Sequence, residues 1–248
     1  MASGSLTIIH TADLHDRLTE AKAQRLGELK AQHANCLLLD SGDALAAGNV
    51  TFRLRPERAL ELMNEAGYDA MAMGNREYFF RKRILLHKTR PARFSVLSTN
   101  LVAKWGDLGH LAQRRLLRLS NGLRVGIFAL SREMVAPDGP WQRFSDLAFL
   151  DPFEVARLTV GDLRGTMDVI VALSHLGREG DQQLIGLGLS MDFILGAHEH
   201  VEATFDVQAH DGPPYLSYPG AFAQTAAVIT ARVECSRVTG AYSEIVEL

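Results

Sequence analysis

The chain has 248 residues, 47% of them hydrophobic and 22% charged, with a net charge of −3. That length buries a sizeable core, and the balanced charge gives no basic excess of the kind that nucleic acid or an anionic membrane surface requires. No apolar run reaches the roughly 20 residues that span a bilayer, and Cys36 and Cys235 stand far apart in no metal-type spacing, which excludes a disulfide framework and favours a reduced, cytoplasmic setting.

In chain order, "MASGS" (1–5) reads as leader residues, which leaves an exported origin open beside the cytoplasmic one. "LTIIH" (6–10) is a buried strand followed by "TADLHD", which offers Asp13 and His15. A helix is expected over Glu20–Gln32, then the strand "CLLLD" (36–40) and the loop "SGDAL" with Asp43. A second helix is expected over Pro56–Ala66, with Pro in its first turn. The strand "AMAM" (70–73) runs into "GNREYFF", where a Gly is followed by Asn75, Arg76 and Glu77. The basic segment "RKRILLHKTR" (81–90) reads as a solvated helix face.

"FSVLSTN" (94–100) is a further strand, and "LLRLSNGLRVGIFAL" is a hairpin turned at Asn121-Gly122. Helices over Asp151–Leu163 and Asp181–Leu189 flank the strand "VIVALSH" (169–175), which ends on His175. "DFILGAH" (192–198) ends in "GAHEH", with His198 and His200. "PPYLSYPG" is a turn-rich break, and the remainder is strand-like. Strands alternating with helices indicate one α/β domain, and the strand-rich end makes its sheet mixed.

Polar residues thus follow five strand ends, where α/β sheets place ligands. Singly, a D-x-H is a turn with a capping Asp, and an H-x-H is an edge pair. Together, Asp oxygens, an Asn carbonyl and imidazoles suit divalent Mn, Fe or Zn and not a thiolate site. Two such ions about 3.5–4 Å apart share a carboxylate, lower the pKa of bound water and clamp the oxygens of a displacement at phosphorus.

The ordered set D-x-H, G-D, G-N-x-E, S-H and G-x-H-x-H resembles the calcineurin-like metallophosphoesterases. "EAGYDAMAMGNREY", "MDFILGAHEH" and "YPGAFAQTAAVIT" bring it closer to the catalytic domain of bacterial 5′-nucleotidases and their cyclic-nucleotide phosphodiesterase relatives. The resemblance covers residues 6 to about 247 and implies a four-layer α/β/β/α sandwich with mixed sheets and two divalent ions at one edge. It implies Asp13, His15 and His200 on one ion, Asn75, His175 and His198 on the other, and Asp43 bridging, with metal-bound hydroxide attacking phosphorus. Asp16, Asp40 and Asp192 are nearby acids for orienting imidazoles, Asp40 doubling as a turn cap. The relatives' C-terminal domain, which carries nucleotide specificity, has no counterpart before Leu248.

The chain departs from the family at 74–77, where the pattern is G-N-H-E with an acid three residues after the His. Arg76 and Phe79 occupy those positions. With Asn75, Arg76 is expected to contact the substrate phosphate and stabilise its transition-state charge, but it cannot protonate a leaving group. The alternative turns Arg76 outward onto a surface acid in a weak enzyme or a metal-binding pseudoenzyme. Loss of the imidazole favours phosphodiesters, with a 5′-nucleotidase-type phosphomonoesterase as the alternative, and a small phosphoester as the binding partner in either case. His110, His210 and Tyr78 are substitute acids on paper, each read more simply as a surface His or a packing Tyr.

Overall fold

The computed structural model describes residues 3–134, 140–201 and 214–248. Its first half alternates β1 (Gly4–Thr11), α1 (Glu20–Gln32), β2 (Cys36–Asp40), α2 (Arg58–Ala66), β3 (Ala70–Ala72), α3 (Lys82–Thr89) and β4 (Ser95–Leu97). Local chemistry sets these bounds. The Thr19 hydroxyl accepts from the Lys22 N–H to start α1, with Glu20 in the first turn and Lys30 in the last to complement the helix dipole. Helix α2 stops at Gly67, whose φ of 78° is the left-handed geometry a C-terminal turn requires.

The second half holds β5 (Leu101–Ala103), β6 (Arg114–Arg118), β7 (Arg124–Ser131), α4 (Pro140–Phe144), β8 (Leu147–Phe149), α5 (Pro152–Arg164), β9 (Val169–His175), α6 (Gly177–Gly186), β10 (Phe193–Gly196), β11 (Tyr215–Ser217), β12 (Thr225–Glu234) and β13 (Arg237–Glu247). Asp151 caps α5 by accepting from the Phe153 and Glu154 N–H groups at 2.9 Å. The β6–β7 hairpin turns at Gly122, which takes a φ of 89° that any side chain would oppose.

Two large mixed sheets result, in the orders β13-β12-β1-β2-β3-β4 and β11-β10-β9-β7-β6, beside a small β5-β8 pair. In the first sheet β1 to β4 are parallel and β12 runs antiparallel to β1. In the second, β7, β9, β10 and β11 are parallel and β6 is antiparallel. Three buried clusters define four layers. One joins Leu26 of α1, Met63 of α2 and Leu85 of α3 to the first sheet. A second, with Ile8, Leu39, Ile127 and Val171, fills the space between the sheets. The third packs Ala156 and Leu163 of α5 and Leu184 of α6 on the second sheet. The fold is the expected α/β/β/α sandwich, and it lays the carboxyl ends of β1, β2, β3, β9 and β10 along one edge.

Several boundaries differ from expectation. Helix α6 begins at Gly177, four residues before Asp181, because its start has no capping side chain and a glycine with φ 79° makes the bend. The break "PPYLSYPG" contains β11, paired in parallel with β10. The face of α3 is not fully solvated: Lys88 is buried, its Nζ donating to the carbonyls of Thr51 (2.9 Å) and Tyr78 (3.3 Å). Both cysteines are free, and no helix among the described residues is long and apolar enough to cross a membrane.

Candidate metal centre

The ends of β1, β2, β3, β9 and β10 bring Asp13, His15, Asp43, His175 and His200 of the seven sequence-derived candidates into compact groups, with Asn75 and His198 beside His175. Asp43 lies between two imidazoles, with Oδ2 3.5 Å from His15 Nε2 and Oδ1 3.5 Å from His175 Nε2. Asp13 Oδ1 is 4.0 Å from His15 Nε2 and 3.9 Å from His200 Nε2. Two groups therefore have the compactness of a cation site: Asp13 with His15 and His200, and Asp13 with Asp43 and His175. Asn75 Oδ1 is 3.2 Å from His175 Nε2, and the His198 ring is 5.1 Å from that of His175.

The backbone is bent to achieve this. Asp13, His15, Asp43, His198 and His200 all have φ between 48° and 89°, a region that costs L-residues energy and recurs at functional sites. The glycines permit the close approach of loops. A Cβ on Gly74 would stand 2.3 Å from Asp43 Oδ1, and one on Gly42 would stand 2.8 Å from the Gly74 nitrogen. Glu77 locks the same loops: buried completely, it accepts from the N–H groups of Asp43, Ala44, Leu45 and Gly74 at 2.8–3.3 Å.

The donor set fits divalent cations. Among buried side-chain atoms, Asp13 Oδ1, His15 Nε2 and His198 Nδ1 have no hydrogen-bond partner, which is costly unless something binds them. Burial, then repulsion from Asp43, pushes the Asp13 carboxyl up to about 7, against the His198 N–H that it accepts at 2.9 Å. Burial also pushes Asp43 upward, but the nearness of the His15 and His175 rings outweighs it and holds it at about 2. His198 is lowered to about 4 by burial, His175 and Arg132, and His200 is lowered by burial and His15. Neutral imidazoles are the ligating form.

The imidazoles are oriented differently from expectation. Asp16, Asp40 and Asp192 hydrogen-bond no ring among the described residues. Asp40 accepts from the Thr11 hydroxyl (2.7 Å) and the Gly42 N–H (2.8 Å), and Asp192 from Arg164 and the Ile170 N–H, both at 2.8 Å. Backbone donors and an arginine claim these carboxylates first. His175 instead donates from Nδ1 to the Ser41 carbonyl at 2.8 Å, which leaves Nε2 for a ligand.

The Arg76 N–H donates to Asp43 Oδ1 at 2.7 Å, while its Nη1 reaches the carbonyls of Leu45 (3.2 Å) and Ala46 (3.4 Å). No carboxylate among the described residues forms an ion pair with it, so the outward-turned alternative has no acid to meet. Its charge lowers the pKa of both Asp13 and His200. Phe79 is buried in the core. His110 bonds the Thr89 hydroxyl at 2.9 Å at the end of α3, and Tyr78 is buried against Phe149. His210 lies outside the described residues.

Three residues of the site escaped the sequence reading. Asn49 Oδ1 accepts from Asn75 Nδ2 at 2.9 Å, alongside Asp43 Oδ2 at 3.0 Å. Arg132 Nη1 lies 2.6 Å from His198 Nε2. Phe222, half-exposed with a φ of 60°, sets its ring edge-on to those of His15 and His200 at 5.2 and 5.0 Å. The "AF" following "YPG" was the available signal for Phe222, whereas Asn49 and Arg132 sit in loops with no ligand-type neighbours.

A sequence profile described as calcineurin-like phosphoesterase matches residues 6–202. The chain is 28% identical to a snake venom 5′-nucleotidase of Gloydius brevicauda over 229 residues, covering 80% of this chain and 38% of that protein. It is 26% identical to the trifunctional nucleotide phosphoesterase YfkN of Bacillus subtilis over 232 residues, 79% of this chain and 16% of that one. A crystal structure of a 5′-nucleotidase precursor from Thermus thermophilus superposes with a TM-score of 0.78 at 25% identity, covering 99% of this chain and 55% of that one. The chain thus spans well under two thirds of the length of these relatives.

Proposed function

Because this chain belongs to the calcineurin-like phosphoesterase family, we propose that it is a dinuclear, divalent-metal-dependent phosphoester hydrolase whose substrates are phosphomonoesters of the 5′-nucleotidase kind. The observation that carries the reading is that two unpartnered buried atoms, Asp13 Oδ1 and His15 Nε2, lie within the compact carboxylate–imidazole groups around Asp13 and Asp43. In this reading Asp13, His15 and His200 hold one ion, Asn75, His175 and His198 the other, and Asp43 serves both. Ions bound there supply Lewis acidity toward phosphoryl oxygens and a water acidic enough to ionise near neutral pH.

The chain's own residues orient and screen. Asn75 gives its amide N–H₂ to Asp43 and Asn49, which turns its oxygen toward His175 Nε2 and the centre. The Arg76 N–H fixes one oxygen of Asp43, and its guanidinium, braced on Leu45 and Ala46, adds fixed positive charge beside the cluster. Phe222 walls the His15–His200 side with an apolar ring suited to the organic part of an ester.

The names of the relatives support monoesters: two are 5′-nucleotidases, and YfkN is a nucleotide phosphoesterase. One observation favours diesters instead. Arg76 and Phe79 fill the places of the family's imidazole and acid, so no general acid stands there to protonate a leaving group, a step worth about 10²–10⁴ in rate. The deciding experiment compares Mn-reconstituted protein on a nucleoside 5′-monophosphate, an aryl phosphate and a bis-aryl phosphate. Faster turnover of the monoesters is expected. A preference for the diester would move the assignment to a phosphodiesterase, and no metal-dependent turnover of any of them would leave a binding protein.

A further inference from the structure

Among the described residues, Arg132 is a cation that touches the cluster and to which the reading above gives no role. It directly follows β7, is exposed, and its Nη1 stands 2.6 Å from His198 Nε2. With Asn49, Asn75, Tyr78, Glu133 and His198 it lines a cavity of about 240 Å³ that opens beside the metal ligands. We propose that Arg132 is a substrate-binding residue, whose guanidinium takes a non-bridging phosphoryl oxygen in this cavity. The inference rests on the phosphoesterase reading and names the group that grips the anion.

Three observations lead there. First, the nearby guanidinium of Arg76 is partly committed, with Nη1 engaged by the carbonyls of Leu45 and Ala46, whereas Arg132 is held by no carboxylate among the described residues. Second, Arg132 has only donors, so in this structure His198 Nε2 is the acceptor of their contact. The other ring nitrogen, Nδ1, is buried and unpartnered, and is therefore the ring atom open to an ion. A neutral imidazole that ligates through Nδ1 carries its proton on Nε2, and two donors then face each other at 2.6 Å. With an ion held on Nδ1, Arg132 would lose His198 as its acceptor, and a phosphoryl oxygen would supply another. Third, the cavity has room for a phosphoryl group beside the ligand residues Asn75 and His198. Glu133 on the same lining lowers the local positive field, so the arginine acts through directed hydrogen bonds, for which its planar fork is suited.

The test titrates inorganic orthophosphate calorimetrically into Mn-loaded parent, Arg132→Ala and Arg132→Lys proteins, with metal content measured on each sample. Orthophosphate should bind at least about tenfold more weakly to Arg132→Ala, with unchanged metal content, and Arg132→Lys should recover part of the loss. Equal orthophosphate affinity in Arg132→Ala and an active parent would overturn this inference and leave the phosphoesterase reading intact. Loss of metal from Arg132→Ala in step with its phosphate affinity would also overturn it, since the arginine would then serve His198. A parent that binds Mn yet neither binds orthophosphate nor hydrolyses any ester would overturn both.

Discussion

Asp43 is equidistant from His15 and His175, takes the Arg76 N–H and the Asn75 amide, and is held ionised at about 2. Replacing it by Asn keeps the size and removes the charge. Asp43→Asn is therefore expected to lower kcat by at least about 10²-fold and to lose bound metal, read by steady-state kinetics and elemental analysis. Near-normal turnover would remove Asp43 from the centre. Beside it, a glycine follows strand β3 at Gly74 because only a residue without Cβ lets the Asp43 carboxylate lie against that loop. The candidate ligands were legible in the sequence because each ends its strand or follows it within a few positions. Asn49 and Arg132 were not, because their partners lie 26 and 66 positions away and only the folded chain makes the pairs.

Among the elements, α1, β2 and β9 follow their sequence signals to the residue, since Thr19 caps, Glu20 and Lys30 complement the dipole, and continuous apolar runs mark buried parallel strands. The start of α6 and the short β5–β8 pair carry no such local mark, as they are set by tertiary packing. Helix α3 shows the same limit: a basic segment reads as solvated, yet Lys88 turns inward. There its charge is no lone ion in apolar surroundings, because Glu77, Glu57 and Asp43 lie close enough to oppose the lowering of its pKa by burial. Lys88→Met would leave the Thr51 and Tyr78 carbonyls without their donor and these acids without a nearby positive charge. We expect a stability loss of about 2–3 kcal/mol by denaturant unfolding. A change within about 0.5 kcal/mol would mean that the Thr51 and Tyr78 carbonyls find other partners.

At the scale of the whole molecule, the two sheets meet at the site, while the second sheet is also tied together away from it. Arg124 opens β7 and grips the buried Asp168 ahead of β9 through Nε (3.1 Å) and Nη2 (2.9 Å), while its N–H gives a third bond at 2.8 Å. The hydrogen-bonded guanidinium holds the Asp168 carboxyl well below the usual carboxylate range. A carboxyl lowered on folding stabilises fully above its unfolded pKa of about 3.9 and loses that contribution as pH falls toward the folded value. Asp168→Asn should thus melt lower than the parent at pH 7, and the gap should narrow as the pH is taken from about 4 to about 2. A gap independent of pH would assign the effect to packing alone.

The central claim is that the edge where β1, β2, β3, β9 and β10 end is a two-ion centre built around Asp43. Calorimetric titration of metal-free protein with Mn²⁺ tests it most directly. The account predicts about two ions per chain, with neither retained at comparable affinity in Asp43→Asn. A single ion per chain, or none, would contradict it.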